Sequence, residues 1–260
     1  MTHKPYILND RSVGVQLGFT LVEMLTVIAI IGILAALLTG AMVAARTQVQ
    51  RASISSEINQ LGIALESYKT QFGEYPPDGT DTAAVKRHIA RAYPHANAAT
   101  VAGKVPTLNP ATSLVFWLGG PIKDGRPNGF SKNPTDPLNN DTVRNVPLFE
   151  FQIPQLTVNG TTATYSSKNG GGPYVYFRAK QSNGVGTYTG SYADSTYGTA
   201  YPYKKNNVFY ADKRFQIISS GLDGKYGATS SGDLTNISSV GLEAMDNQTN
   251  FGMVEDLIEQ

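Results

Sequence analysis

Residues 18–45 read GFTLVEMLTVIAIIGILAALLTGAMVAA, and this stretch decides the fold. Glu23 is its only charge, and Met24 to Ala45 is an unbroken run of uncharged, mostly apolar residues. At 1.5 Å per residue such a run spans about 33 Å as a helix, enough to cross a hydrocarbon core of about 30 Å. The residues before it, MTHKPYILNDRSVGVQLG, are polar, with Lys4 and Arg11 as their cations. An ordinary secretory signal has a shorter apolar core and is cut after it. Here the run is longer and the candidate cut lies in front of it. Cations on the N-terminal side keep that side in the cytoplasm, so the chain beyond residue 45 is expected outside.

The lone acid needs a reason, because a charge at the centre of a bilayer costs roughly 3 kcal/mol on insertion scales. Either Glu23 lies at headgroup depth and is solvated, or it pairs with a cation in an assembly. A cut after Gly18 would create an amine on Phe19, four residues from Glu23. The amine of a neighbouring copy could then neutralise the acid.

Outward from this stretch the helix continues. No Pro occurs between Pro5 and Pro76. Ile54, Ile58, Leu61, Leu65, Tyr68 and Phe72 recur at alternating spacings of four and three, which places them on one helical face. Arg46, Arg51, Glu57, Glu66 and Lys69 fall off that face. The pattern predicts one helix from Phe19 to Phe72, about 81 Å long. Its first half belongs in lipid or a fibre core, and its second half against a sheet. Gly73 and the Pro76–Pro77 pair end it.

The whole chain has 260 residues, 41% of them apolar, enough for this helix and one head domain with its own core. Lys and Arg number 21 against 20 Asp and Glu, for a net charge of +1. Loss of residues 1–18 would remove Lys4, Asp10 and Arg11 and leave acids and bases equal in number. A nucleic-acid binder carries a basic excess, so no nucleic-acid partner is expected. Cys is absent, which excludes disulfides, a Cys-ligated zinc site, an iron–sulfur cluster and a thiol nucleophile. No nucleophile elbow, phosphate-binding loop or zinc-protease motif occurs, and no enzyme is expected.

In residues 73–260, Asn109-Pro110-Ala111-Thr112 before SLVFWLGG predicts a short helix with Asn109 as its cap and Gly119–Gly120 as its stop. Trp117, the only Trp, reads as a core anchor. Strand-like runs are Leu148–Ile153, Pro173–Lys180, Asn207–Tyr210 and Phe215–Ser219. The Gly-, Asn-, Ser- and Tyr-rich segments 157–172 and 181–206 read as long loops. A three- or four-stranded antiparallel sheet on the second half of the helix is the simplest arrangement, giving an α+β fold. Segment 78–104 is polar and no element is assigned to it. Its His88 and His95 could share a helical face, but they lack an obvious carboxylate partner and read as solvated surface.

After the FQIIS strand comes SSGLDGKYG, residues 219–227, and later DNQTNF, residues 246–251. Oxygen ligands and tight glycine turns suit Ca²⁺. The EF-hand spacing is absent, however, and Asp-Gly is also an ordinary turn dipeptide.

Gly18-Phe19-Thr20-Leu21-Val22-Glu23, followed by the apolar run, resembles the class III signal of type IV prepilins and type II secretion pseudopilins. The resemblance implies a pilin-like fold and four parts: a leader over 1–18, a helix over 19–72, its membrane segment over about 24–45, and a periplasmic head over 73–260. It implies cleavage between Gly18 and Phe19 by a prepilin peptidase, N-methylation of Phe19, and a role for Glu23 in subunit entry into a helical homopolymer. Further implied partners are minor pseudopilins, an inner-membrane assembly platform with its ATPase, and membrane lipid. Residues 219–251 are similar to the C-terminal loop of major pseudopilins, which holds a structural calcium. Carried over, Asp223 is the turn acid, Ser220 the carbonyl donor, and Asp246 and Asn247 the distal pair, with Asn247 standing where the family has an acid. The expected location is the bacterial inner membrane, single-pass, with a fibre in the periplasm. The other readings are a type IV pilin for adhesion, motility or DNA uptake, which more often carries a Cys-bounded C-terminal loop, and a membrane-anchored head with activity of its own.

Overall fold

A computed structural model of the chain describes residues 18–139, 143–227 and 230–259. The expected leader, apart from Gly18, lies outside the described residues. The chain divides into two compact units, Met1–Thr47 and Gln48–Gln260. Helix α1, Leu21–Phe72, contributes to both. It stays unbroken through Gly32, Gly40 and Gly62, and ends where expected, with Gly73 in the left-handed region at φ 78°.

The described part of the first unit is almost entirely helix. Its apolar side chains are exposed all round, Ile28 at 66% and Leu37 at 70% among them. An apolar helix with no buried face needs lipid or neighbouring copies around it. The mean hydropathy of its most apolar window is 2.7, and by length and composition it can cross a membrane.

The second unit is α+β. Ile54, Ile58, Leu61, Leu65 and Tyr68 of α1 are all buried, as their spacing predicts. They pack on Trp117, Tyr174, Tyr176, Phe215 and Ile217 in one core. The main sheet has four antiparallel strands: β3 (Val175–Arg178), β4 (Phe215–Ser219), β5 (Gln248–Thr249) and β6 (Gly252–Met253), in the order β6–β5–β4–β3. Ile218 pairs with Val175 on one side and Thr249 on the other. Both faces of this sheet are covered. Tyr176, Phe215 and Ile217 belong to the core that contains α1, while Val175, Phe177 and Ile218 join a second core with Tyr203, Tyr226, Val254 and Leu257. Burial on both faces explains why FQIIS is continuous rather than alternating.

Several expectations change. Segment 78–104 is not irregular: it forms α2, Thr82–Ala92, capped by the Asp81 carboxylate on Ala83 N, and α3, Ala98–Lys104, capped by Asn97. Helix α4 begins at Ser113, later than expected. Asn109 still opens it, because its carbonyl accepts from Ser113 N and its side chain accepts from Ala111 N and Thr112 N. Leu148–Ile153 forms no strand. Phe149 and Phe151 instead pack edge-on against Tyr165. The segments read as loops are largely hairpins: β1–β2 (Leu156–Asn159 with Thr162–Tyr165), Lys180–Ser182 with Val185–Thr187, and Tyr192–Asp194 with Gly198–Ala200. Asn183 and Gly184, both at positive φ, close one of them in the turn that two-residue hairpins favour.

Candidate functional site

The N-terminal site is built by one local device. Thr20 Oγ1 accepts from Glu23 N at 3.2 Å, and the Glu23 carboxylate accepts from Thr20 N at 2.9 Å and from the Thr20 hydroxyl at 2.7 Å. This reciprocal capping box fixes the start of α1. It is why the helix begins at Leu21 rather than at Phe19. Gly18 and Phe19 are left outside the helix, with Phe19 76% exposed. A peptide bond in non-helical, solvent-facing chain is one a protease can bind. A Cβ placed on Gly18 would meet nothing within 4 Å, so the fold itself does not demand glycine there. Any demand for a small residue comes from what docks on it.

Glu23 thus has a local partner within its own chain. Its carboxylate is exposed, at the head of a helix whose next 22 residues carry no charge. The helix N-terminus and the Thr20 hydroxyl favour the ionised form there.

The second candidate lies in the head, beyond β4. Leu222 N at 2.6 Å and Asp223 N at 3.1 Å both donate to Asp246 Oδ2. The turn is therefore closed by a carboxylate from 24 residues downstream. Gly221 makes this approach possible: its φ is 67°, and a Cβ there would fall 2.3 Å from Asp246 Oδ1. That Oδ1 is buried and has no partner. Asp223 Oδ1 accepts from Lys225 N at 2.7 Å. Burial holds the Asp223 carboxyl above its ordinary range, and the charges of Asp246 and Glu243 push it further up. Ser220 Oγ accepts from Gly172 N at 2.8 Å.

Of the residues the resemblance points to, the structure brings Asp246 onto the turn that carries Asp223, with Ser220 behind them. Asn247 is fully buried, and its Nδ2 donates to Tyr203 Oη and to the Tyr226 carbonyl, both at 2.9 Å. An aspartate could make neither donation, which accounts for the amide at this position. Asn247 Oδ1, like Asp246 Oδ1, is buried without a partner. Two orphaned oxygens and two acids in mutual repulsion are what a hard cation with oxygen ligands would relieve. Among the described residues, no three His, Cys, Asp or Glu side chains converge as a metal-binding group. A cation here would therefore draw on amide and backbone oxygens as well.

Glu243 was missed from sequence. His88, expected to be solvated surface, is instead fully buried. Tyr68 Oη lies 2.6 Å from its Nε2, and Glu74 Oε1 lies 2.7 Å from its Nδ1. Arg178 donates to the other Glu74 oxygen at 2.9 Å. The hydrogen bond from His88, together with Arg178, holds Glu74 down at about 2, against the opposing effect of burial. Burial pushes His88 below its ordinary range, although Glu74 opposes the shift. A neutral His88 satisfies both neighbours when Nδ1–H donates to Glu74 and Nε2 accepts from Tyr68. This line of groups ties α1, α2 and β3 together, and with no exposure at His88 it has a packing role.

No curated protein and no solved structure matches the chain. Residues 15–39 match the prokaryotic N-terminal methylation motif, which marks a prepilin-type signal of the kind that a prepilin peptidase processes in type IV pilin-like subunits that polymerise.

Proposed function

We propose that the chain is a structural subunit of a type II secretion pseudopilus, a helical periplasmic fibre that helps drive folded proteins across the outer membrane. The observation that carries this reading is the exposed Gly18–Phe19 bond ahead of a helix with one acid at its head and an apolar surface all round. The peptidase cuts after Gly18 and the new Phe19 amine is methylated. The anchor holds the subunit in the inner membrane with its head in the periplasm. A platform protein and its ATPase draw subunits into the fibre, and minor pseudopilins join it. Glu23 then exchanges its Thr20 partners for the Phe19 amine of a neighbouring copy. The absence of Cys favours this reading over a surface pilin. Substituting Glu23→Val should leave the cut after Gly18 intact and abolish fibres, scored by electron microscopy and N-terminal sequencing of the same preparation. Normal fibres from that variant would refute the pairing.

The head in this reading carries a structural calcium. Asp223 and Asp246 would hold it, with the Ser220 carbonyl and Asn247 Oδ1 as further oxygens, and the ion would neutralise two acids the fold forces together. A ligand bound only by the folded form stabilises it by mass action. EDTA should lower the Tm of the full chain in detergent by about 5 °C, and should do nothing to Asp223→Asn. A wild-type melting curve unmoved by EDTA would remove the metal.

A further inference from the structure

An Asn-Gly pair is a place where a chain can attack itself. The side-chain amide carbon of Asn is one five-membered ring away from the backbone nitrogen of the next residue, and glycine there adds no Cβ to crowd the ring. The sequence holds four such pairs: Asn128–Gly129, Asn159–Gly160, Asn169–Gly170 and Asn183–Gly184. Attack needs a free glycine N–H, an untied Asn side chain and a backbone able to bring the two together.

Three of the four pairs are held. Gly129 is buried, and its N–H donates to the Gly119 carbonyl at 2.8 Å. Gly170 N donates to the Ser167 carbonyl at 3.0 Å, and Asn169 Nδ2 donates to the Gln50 carbonyl at 3.4 Å. Asn159 belongs to strand β1, where it pairs with Thr162 and its carbonyl accepts from the Thr162 hydroxyl at 3.1 Å. Asn183 and Gly184 differ. They are the whole loop of the hairpin Lys180–Ser182 with Val185–Thr187, which Ser182 and Val185 close. Both are exposed, and a Cβ placed on Gly184 would meet nothing within 4 Å. No hydrogen bond engages the Gly184 N–H or the Asn183 side chain.

The loop also has a short path to the reactive geometry. Asn183 at φ 51° and Gly184 at φ 79° form a type I′ turn. Flipping the one peptide between them gives type II′, the other turn that two-residue hairpins favour, and leaves both strands in register. Asn183 ψ is then about −120°. For an L residue that value eclipses Cβ with the next nitrogen, which is the planar arrangement of the five-membered ring. Gly184 takes up the change in its own φ without steric cost.

We propose that Asn183 is a self-modifying site, converted to aspartate and isoaspartate through a cyclic imide with Gly184. The Gly184 nitrogen gives its proton to solvent base and bonds to Asn183 Cγ. The Cγ–Nδ2 bond breaks, and Nδ2 leaves as ammonia with a proton from water. Water then opens the imide at either carbonyl, so the products are aspartate and an isoaspartate whose main chain runs through the former side chain. No oxidant or cofactor is consumed. Each conversion replaces a neutral amide with a negative charge and takes the chain's formal charge from +1 to zero. The inference goes beyond the fibre reading and does not depend on it.

The test holds the full chain in detergent at about pH 8.5 and 37 °C for a week in water enriched in oxygen-18, then resolves its tryptic peptides by mass spectrometry. The peptide carrying Asn183 turns acidic about tenfold faster than those carrying Asn128, Asn159 and Asn169, each of which must first give up a hydrogen bond or a strand pairing. It takes up a solvent oxygen and separates into aspartate and isoaspartate forms. In urea, where no turn is held, the four sites convert at similar rates. Asn183→Gln, whose ring would need a sixth member, stays unconverted at that position. An Asn183 that survives the week, or converts no faster than Asn159 and Asn169 in the folded chain, overturns the proposal. So does aspartate without isoaspartate, which marks direct hydrolysis, or an Asn183 lead that persists unchanged in urea, which would place the cause in neighbouring sequence rather than in the turn.

Discussion

Replacing Trp117 with Ala is expected to cost about 3–5 kcal/mol and to lower the Tm by about 10 °C. Trp117 is 2% exposed and fills the centre of the larger core. His88 lies edge-on to it at 5.0 Å, Phe116 at 4.9 Å and Tyr68 at 6.3 Å, and Phe130 stacks on it at 6.2 Å. Truncation would open a cavity among groups from α1, α2 and α4 that are held by other contacts and cannot collapse into it. The indole Nε1–H has no partner. What is lost is therefore packing rather than a hydrogen bond, and Trp117→Phe should cost less than half as much. Thermal unfolding of the two variants in detergent checks this. An Ala variant within about 1 kcal/mol of wild type would contradict the packing account.

The second large effect is on acid stability. Burial holds His88 below its ordinary value of about 6.5, so the folded form resists a proton that the unfolded chain accepts. Its contribution is whole above about pH 6.5 and falls as the pH drops through that value. Glu74 is held at about 2, against an ordinary value of about 4.5, chiefly by its hydrogen bond with His88. Its contribution is whole above about pH 4.5 and is lost as the pH falls towards 2. The two effects run in the same direction, so stability should decline steadily from about pH 6.5 downward. His88→Leu leaves the Tyr68 hydroxyl unpaired and strips Glu74 of its main hydrogen bond, costing about 2–4 kcal/mol at neutral pH. It also removes the His88 step and lets Glu74 titrate nearer its ordinary value, so the acid decline flattens. Urea midpoints of wild type and variant from pH 7.5 to pH 3 test this. Parallel curves would show that the Tyr68–His88–Glu74 line does not set the acid response.

The long helix and the main sheet were legible because each rests on a strong periodic signal. The face from Ile54 to Tyr68 is apolar at 3.6-residue spacing, and FQIIS is an apolar run bounded by polar turns. The start of α1 was missed by two residues because Thr20 and Glu23 satisfy each other, a pattern of two polar residues that an apolar count passes over. The Thr-x-x-Glu spacing was available in the sequence. Segment 78–104 was passed over because only Val85, His88 and Ile89 of α2 face inward, and a His on that face reads as polar until Tyr68 and Glu74 are seen at its two nitrogens. The hairpins were hidden by short, mostly polar strands; the clearest signal was the Asn183–Gly184 turn, both residues at positive φ. Of the head loop, the approach of Asp246 to the Asp223 turn was suggested only by the family resemblance, since Asp-Gly alone reads as an ordinary turn. The burial of Asn247 against Tyr203 and Tyr226 was not, since both tyrosines come from sequence-distant segments.

The central claim is that the chain is cut and matured at the exposed bond ahead of α1. Mass spectrometry of the N-terminal peptide of protein recovered from native membranes tests it most directly. The account predicts a peptide beginning at N-methylated Phe19. A peptide that retains residues 1–18, or one that begins beyond Ala45, would contradict it.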